Sequence, residues 1–215
     1  MARPRGSRQR AEQALALLQE EYPDAVCALT HDSPYQLLVA TILSAQCTDE
    51  RVNMVTPAVF ARYPDPEDLA AADPAELEEL IHSTGFFRSK TKNLIGMAQG
   101  LVDRFEGEVP RDLDDLVKLP GVGRKTGNVI RSVAFELPGL PVDTHVTRLA
   151  RRLRLTKEED AVKIEHDLDP MVPAGLRGDF SLLLILHGRN VCDARRPRCD
   201  ACVLAGICPS AFTFS

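Results

Sequence analysis

The sequence predicts an all-α protein. Three observations carry that expectation. Apolar residues recur at helical spacing along most of the chain. Several segments open with a capping residue followed by proline. Alternating apolar and polar runs joined by paired turns, the mark of antiparallel sheet, are absent.

The elements follow in order. Ser7–Glu21 carries Ala11, Ala14, Leu15 and Leu18 on one face. Asp32-Ser33-Pro34 opens a second helix, with Leu37, Leu38 and Ile42 behind it. Asp65-Pro66-Glu67-Asp68 and Asp73-Pro74-Ala75-Glu76 share one grammar: a capping Asp, then Pro, then an acid at the third helical position. The second of these runs to Gly85. Ser89 begins a helix with Leu94, Ile95, Ala98, Leu101, Val102 and Phe105 on one side, ending at Gly107. Asp112–Leu119 is short and meets Pro120-Gly121, and Arg124–Glu136 follows. Pro138-Gly139-Leu140-Pro141 is the best domain boundary. Asp143 caps a helix through Arg154, and Thr156-Lys157-Glu158-Glu159 reads as a capping box for the next. Asp179–Arg189 is the last long helix; its run Ser181–Leu186 is strand-like, but length and caps favour helix.

Hydrophobic residues make up 44% of the 215 residues and charged residues 27%. That supplies a sizeable core and excludes disorder as the main state. No apolar run reaches membrane-span length and no secretory h-region is present, so the expectation is a soluble intracellular protein. The net charge of −5 argues weakly against a polyanionic partner, but its distribution argues the other way. Residues 65–84 hold seven acids and no Lys or Arg, whereas residues 111–154 hold nine bases against five acids. Residues 189–198 add four Arg against one Asp, and the first ten residues hold four Arg. An acidic back with a basic face suits contact with phosphates.

Three motifs carry chemistry. In Leu119-Pro120-Gly121-Val122-Gly123-Arg124-Lys125-Thr126, two glycines permit a tight turn and close backbone approach. Amides at the following helix start, with Arg124 and Lys125 beside them, form a candidate phosphate clamp that positions without reading bases. The plainer reading is a helix–helix connection. In Val142-Asp143-Thr144-His145, Asp143 reads first as a helix cap; a catalytic role needs Lys125 nearby in space. Cys192, Cys199, Cys202 and Cys208 follow C-x6-C-x2-C-x5-C, four thiols within seventeen residues. One ion or one cluster suits them: zinc and iron–sulfur stand about level on spacing alone. Arg195, Arg196 and Arg198 lie in the loop that such a centre would brace. Cys27 and Cys47 stand apart and read as reduced, buried small hydrophobes.

The string LPGVGRKT resembles the helix–hairpin–helix of DNA-repair glycosylases. Together with VDTH, the cysteine spacing, LSAQCTD (Leu43–Asp49) and LILHGR (Leu184–Arg189), it resembles the endonuclease III family over roughly residues 8–208. The resemblance implies two helical lobes with duplex DNA bound across a cleft. One is a six-helix block, residues 27–137, with the helix–hairpin–helix at about 112–136. The other, discontinuous, joins residues 1–26 to 138–215 and holds a [4Fe–4S] cluster on the four cysteines. The resemblance makes Lys125 the nucleophile and Asp143 the catalytic carboxylate. It makes Gln46, Phe86 and His145 residues that fill the gap left by an extruded nucleotide, with Gly121, Gly123 and Arg124 on the backbone. It implies a monomeric, cytoplasmic, nucleoid-associated enzyme of bacterial or archaeal type.

Extrusion costs a few kcal/mol (roughly) and least for a lesion that stacks badly. Gln46 offers an amide to the orphan base and Phe86 an apolar wedge. Lys125 must attack as a free amine, which burial and Arg124 would favour. The implied activity is a glycosylase with β-elimination lyase activity on oxidised pyrimidines in base-excision repair. An adenine mismatch glycosylase is the runner-up, opposed by Lys125 and by the chain's end seven residues past Cys208. A non-catalytic iron–sulfur or zinc DNA-binding protein is the alternative of another class. Departures from the family pattern include Phe86-Phe87 where Leu-Tyr is common, Cys47 for Ala, Ser181-Leu182-Leu183 before LILHGR, and Gly127 for Ala. The last is expected to loosen a helix start by up to about 1 kcal/mol.

Overall fold

A computed structural model describes residues 4–213, so Met1–Arg3 of the basic arm and the last two residues lie outside the described part. Helices and turns account for its structure, with no strand among the described residues. No helix among them is long and apolar enough to cross a membrane. The chain divides into two compact units, Cys27–Glu136 and the residues up to Val26 together with those from Leu137 onward.

The first unit contains seven helices. They are α2 (Pro34–Leu43), α3 (Asp49–Arg62), α4 (Pro66–Ala70), α5 (Pro74–Ile81), α6 (Phe87–Phe105), α7 (Leu113–Leu116) and α8 (Arg124–Val129). The proline grammar holds. Ser33, Asp65 and Asp73 each cap a helix through the side chain, with Pro next in line. Helix α3 escaped the sequence reading. Thr48 caps it, and Val52, Val55, Thr56 and Val59 face the core despite Pro57 in its interior. Leu37, Leu38, Leu43, Leu69, Leu77, Ile81, Leu94, Met97 and Leu101 are fully or almost fully buried and make the core. The expected helix over Arg124–Glu136 widens into a π-helical turn at Ile130–Ala134. There Ser132 Oγ donates back to the Asn128 carbonyl at 2.9 Å.

The second unit builds its own core from both chain ends. Helix α1 (Ser7–Glu21) contributes Ala11, Ala14, Leu15 and Leu18; α9 (Thr144–Arg152), α10 (Ala161–Leu168) and α11 (Arg177–Asn190) contribute most of the rest, with Leu140, Val142, Leu153, Leu155, Met171, Val172 and Leu204 added from the segments between and after them. Arg10 of α1 donates to the carbonyls of Leu153 and Arg154, each at 2.8 Å, closing the C-terminus of α9. The capping box expected at Thr156 is not formed. Asp160 caps α10 instead, accepting from the Val162 and Lys163 amides. Thr156 Oγ1 donates to Asp167 at 2.6 Å and accepts from the Glu158 amide, so its hydroxyl is spent on a local turn.

Candidate functional site

In the first unit, the turn between α7 and α8 is defined by sequence. Pro120 takes the second position of a β-turn, and Gly121 takes the third at φ 77°. The Val122 amide closes it onto the Leu119 carbonyl at 3.1 Å. Leu116, Leu119 and Val122 are buried and root the hairpin in the core. Its seat is a strip on α6: a Cβ on Gly96 would lie 3.2 Å from Pro120, and one on Gly100 would lie 2.9 Å from Leu119. This pair, four residues apart, is a packing feature that sequence reasoning missed.

Gly123 then starts α8 at φ −88°, ψ 173°, ordinary extended backbone, with no side-chain cap on the amides that follow. It is exposed, and a Cβ there would touch nothing within 4 Å. Gly121 is therefore required by the fold, and Gly123 is not. Lys125 lies in the first turn of α8 and is exposed, so the expectation that the protein buries its amine is not met. Arg124 is half-buried. Gly127 also differs from expectation. A Cβ would stand 2.6 Å from Leu113 Cδ1, so glycine here lets α7 and α8 pack close rather than merely loosening the helix.

Gln46 and Phe86 sit on two other loops of this unit. Both are exposed and both adopt left-handed backbone, at φ 53° and φ 48°. Such conformations cost L-residues about 1–2 kcal/mol; Glu106, Glu136, Arg154 and Phe212 share them, so the backbone alone does not single out Gln46 and Phe86. Phe86 is 66% exposed, whereas Phe87 is half-buried with its ring 4.4 Å from that of His82. Neighbouring phenyl groups thus differ in role. The one buried lysine is Lys90, 3% exposed among the described residues. Cys27 and Cys47 are half-buried against the core, not fully buried as expected.

In the second unit, Asp143 caps α9. Its Oδ1 accepts from the His145 amide at 2.8 Å and the Val146 amide at 2.9 Å, which orients the other oxygen. His145 is half-buried; its Nδ1 meets Arg148 Nη2 at 3.0 Å, and its ring packs where a Cβ on Gly188 would lie.

Four half-buried thiols, Cys192, Cys199, Cys202 and Cys208, line one pocket together with Arg152 and Val191. Burial pushes the Cys202 thiol up to about 11, and the Cys192, Cys208 and Cys199 thiols around it push the same way. Thiolates gathered so closely need positive charge among them, which iron supplies. Among the described residues no three His, Cys, Asp or Glu form a set for a single metal ion. The donor set and the pocket fit a cluster. Supporting groups surround it. Arg152 Nη1 donates to Cys192 Sγ at 3.2 Å and to the Asp193 carbonyl at 2.6 Å. Arg148 Nε donates to the Cys192 carbonyl at 3.0 Å. Fully buried His187 meets Tyr22 Oη through Nδ1 at 3.1 Å and Cys202 Sγ through Nε2 at 3.2 Å. Arg148, Arg152, His187 and Tyr22 were not read from sequence. The i, i+4 spacing of the two arginines after the cap was the available signal. Arg195 and Arg196 are exposed, with their amides turned onto Asp193. Arg198 is also exposed, but its guanidinium is bonded to the Asn190 carbonyl, so part of its role is to close the loop.

Comparison with known proteins decides the family. Residues 39–174 match the HhH-GPD superfamily of base excision DNA repair proteins, and residues 192–208 match the iron–sulfur binding domain of endonuclease III. An endonuclease III from Synechocystis sp. is 56% identical over 205 residues, covering 95% of this chain and 94% of that one. The chain belongs to the endonuclease III family. The solved structure of a non-covalent endonuclease III–DNA complex is 40% identical at a TM-score of 0.90, covering 96% of this chain and 97% of that chain. A trapped endonuclease III–DNA covalent intermediate matches with the same figures. This family member is a base-excision-repair DNA glycosylase and AP lyase that carries a [4Fe–4S] cluster.

Proposed function

We propose that the enzyme removes oxidised pyrimidines from duplex DNA through Lys125, with Asp143 as the carboxylate that moves protons. One observation carries the assignment. Lys125 is an exposed amine two residues past Gly123, in the first turn of α8, whose N-cap makes no side-chain hydrogen bond to the amides that follow. A phosphate held by those amides fixes the distance from DNA backbone to nucleophile. The covalent intermediate trapped in a 40% identical relative supports a nucleophilic rather than a hydrolytic step.

Lys125 Nζ, deprotonated, bonds to C1′ of the extruded nucleotide. The glycosidic bond breaks and the base leaves with its electron pair and a proton. The sugar ring opens to a protonated imine on Lys125. That imine acidifies C2′; loss of a C2′ proton breaks the C3′–O bond, and the 3′ phosphate departs. Water then frees the lysine. Asp143 takes the amine proton and returns it to the departing groups, with its Oδ1 held by the α9 cap.

Gln46 and Phe86 fill the vacated stack, and Gly121, Gly123 and Arg124 belong to the backbone clamp. Cys192, Cys199, Cys202 and Cys208 hold the cluster, which braces the loop presenting Arg195 and Arg196 to phosphates. The test is borohydride trapping on duplex bearing an oxidised pyrimidine. The wild-type enzyme forms a covalent adduct and Lys125→Ala forms none while still binding duplex. Trapping that survives the substitution rejects the assignment, and unchanged base release by Lys125→Ala leaves that lysine as a phosphate contact.

A further inference from the structure

Helix α6 begins with a group that the chemistry above does not use. Lys90 is 3% exposed, and burial pulls its ammonium below the ordinary lysine range. Its Nζ donates to the Leu43 carbonyl at 2.8 Å and to the Thr84 carbonyl at 2.8 Å. An ammonium inside a core is costly unless its protons are matched, so these contacts need a reason.

The two acceptors are not arbitrary. Leu43 is the last residue of α2, and Thr84 ends the short 3-10 turn that follows α5. Both carbonyls lie at helix ends, where acceptors lack partners along the helix and carry its negative pole. One ammonium therefore closes two helix ends at once. Each end leads directly into a loop that holds one residue in left-handed backbone. Three residues past Leu43 stands Gln46, and two past Thr84 stands Phe86, both exposed and both in left-handed backbone. Thr84 is itself fixed, its Oγ1 donating to the Ile81 carbonyl at 2.8 Å.

We propose that Lys90 is a positioning residue: it locks the loops carrying Gln46 and Phe86 into one register, so that both side chains enter the DNA stack together. This rests on the reading of Gln46 and Phe86 as the gap-filling pair. Lys90 never touches DNA; it sets the spacing and angle of the two residues that do. Losing it frees each loop to relax toward ordinary backbone. Binding of undamaged duplex stays, because the hairpin seat at Gly96 and Gly100 lies farther along α6 and packs against Pro120 and Leu119.

The experiment is a double-mutant cycle on holoenzyme with a duplex bearing one thymine glycol, read as single-turnover base release and as affinity for undamaged duplex. Lys90→Met is expected to slow base release about tenfold, the loss of a charge-assisted bond, with affinity for undamaged duplex within twofold (roughly) of wild type. Added to the Gln46→Ala/Phe86→Ala pair, it is expected to cause no further loss. Wild-type release by Lys90→Met, or a loss that adds fully to that of the pair, overturns the proposal. Wild-type release by the Gln46→Ala/Phe86→Ala pair overturns the gap-filling reading itself and the proposal with it. The chain contains no tryptophan, so Phe86→Trp gives a single reporter. In that background Lys90→Met is expected to quicken the anisotropy decay, and an unchanged decay counts against the lock. If Lys90→Met does not fold, Lys90→Gln, whose shorter amide cannot span both carbonyls, takes its place in the same cycle.

Discussion

Replacing Gly123 by alanine separates the fold from the phosphate clamp. Its backbone at φ −88°, ψ 173° is open to any L-residue, and a Cβ meets nothing within 4 Å. Alanine is a poorer N-cap than glycine, a cost of about 0.5–1 kcal/mol. Gly121→Ala is different. Positive φ costs about 1–2 kcal/mol, and the new Cβ would stand 2.8 Å from the Cβ of Asn93, the root of that side chain rather than its flexible end. Thermal melting should therefore show a small shift for Gly123→Ala and a large one for Gly121→Ala. Duplex binding should reverse the order of interest. If a phosphate docks on the amides that follow, a methyl projecting from position 123 into that open space crowds it, and one charge-assisted hydrogen bond is worth about 1.5–3 kcal/mol. Gly123→Ala is thus expected to bind undamaged duplex about 10- to 100-fold more weakly while keeping its salt dependence, since no cation is lost. The assay is a fluorescence-anisotropy titration at several salt concentrations beside a melting curve. Wild-type affinity for the folded Gly123→Ala protein would refute the clamp.

Two further outcomes follow from the second unit. Asn caps helices as well as Asp, so Asp143→Asn should melt within about 0.5 kcal/mol of wild type, whereas Asp143→Ala should lose about 1 kcal/mol. Both should slow base release by about a hundredfold or more, and retained activity in Asp143→Asn would reduce this residue to a cap. Stripping the iron should abolish the broad visible absorbance. It should also flatten the slope of log affinity against log salt by up to about two, as Arg195 and Arg196 lose their braced loop; an unchanged slope would remove those arginines from the DNA contact.

What the sequence disclosed follows from how local the signals are. Ser33-Pro34, Asp65-Pro66 and Asp73-Pro74 each write a helix start within a few residues, and each is a formed cap. The turn at Pro120-Gly121 is equally local. Helix α3 was missed because Pro57 in its interior reads as a helix breaker and its apolar stripe is thin. The cap of α10 was misplaced because Thr156 and Asp160 both suit the role, and Asp167 claims the Thr156 hydroxyl. The supports of the site were illegible for a different reason. Lys90 reaches a carbonyl 47 residues away, Arg152 grips a loop 40 residues away, and His187 meets Tyr22 across 165 residues. Nothing in a lysine's immediate neighbours announces that it will be buried.

Lys125 and Lys90 are opposite solutions to placing an amine, and labelling can tell them apart. A nucleophile must reach substrate and give up its proton there, so exposure in the free enzyme suits Lys125. A structural ammonium needs acceptors for its protons, and Lys90 donates to two carbonyls at 2.8 Å with 3% exposure. Reductive methylation of the folded protein should therefore modify Lys125 and spare Lys90, and bound duplex should slow modification at Lys125. After borohydride reduction on an abasic duplex, peptide mapping should find the sugar remnant on Lys125. A remnant on Lys90 would mean that α6 opens during turnover and that the buried amine is the reacting one. That result would reassign the nucleophile and dissolve the loop lock together, because one nitrogen cannot both hold the Leu43 and Thr84 carbonyls and bond to C1′.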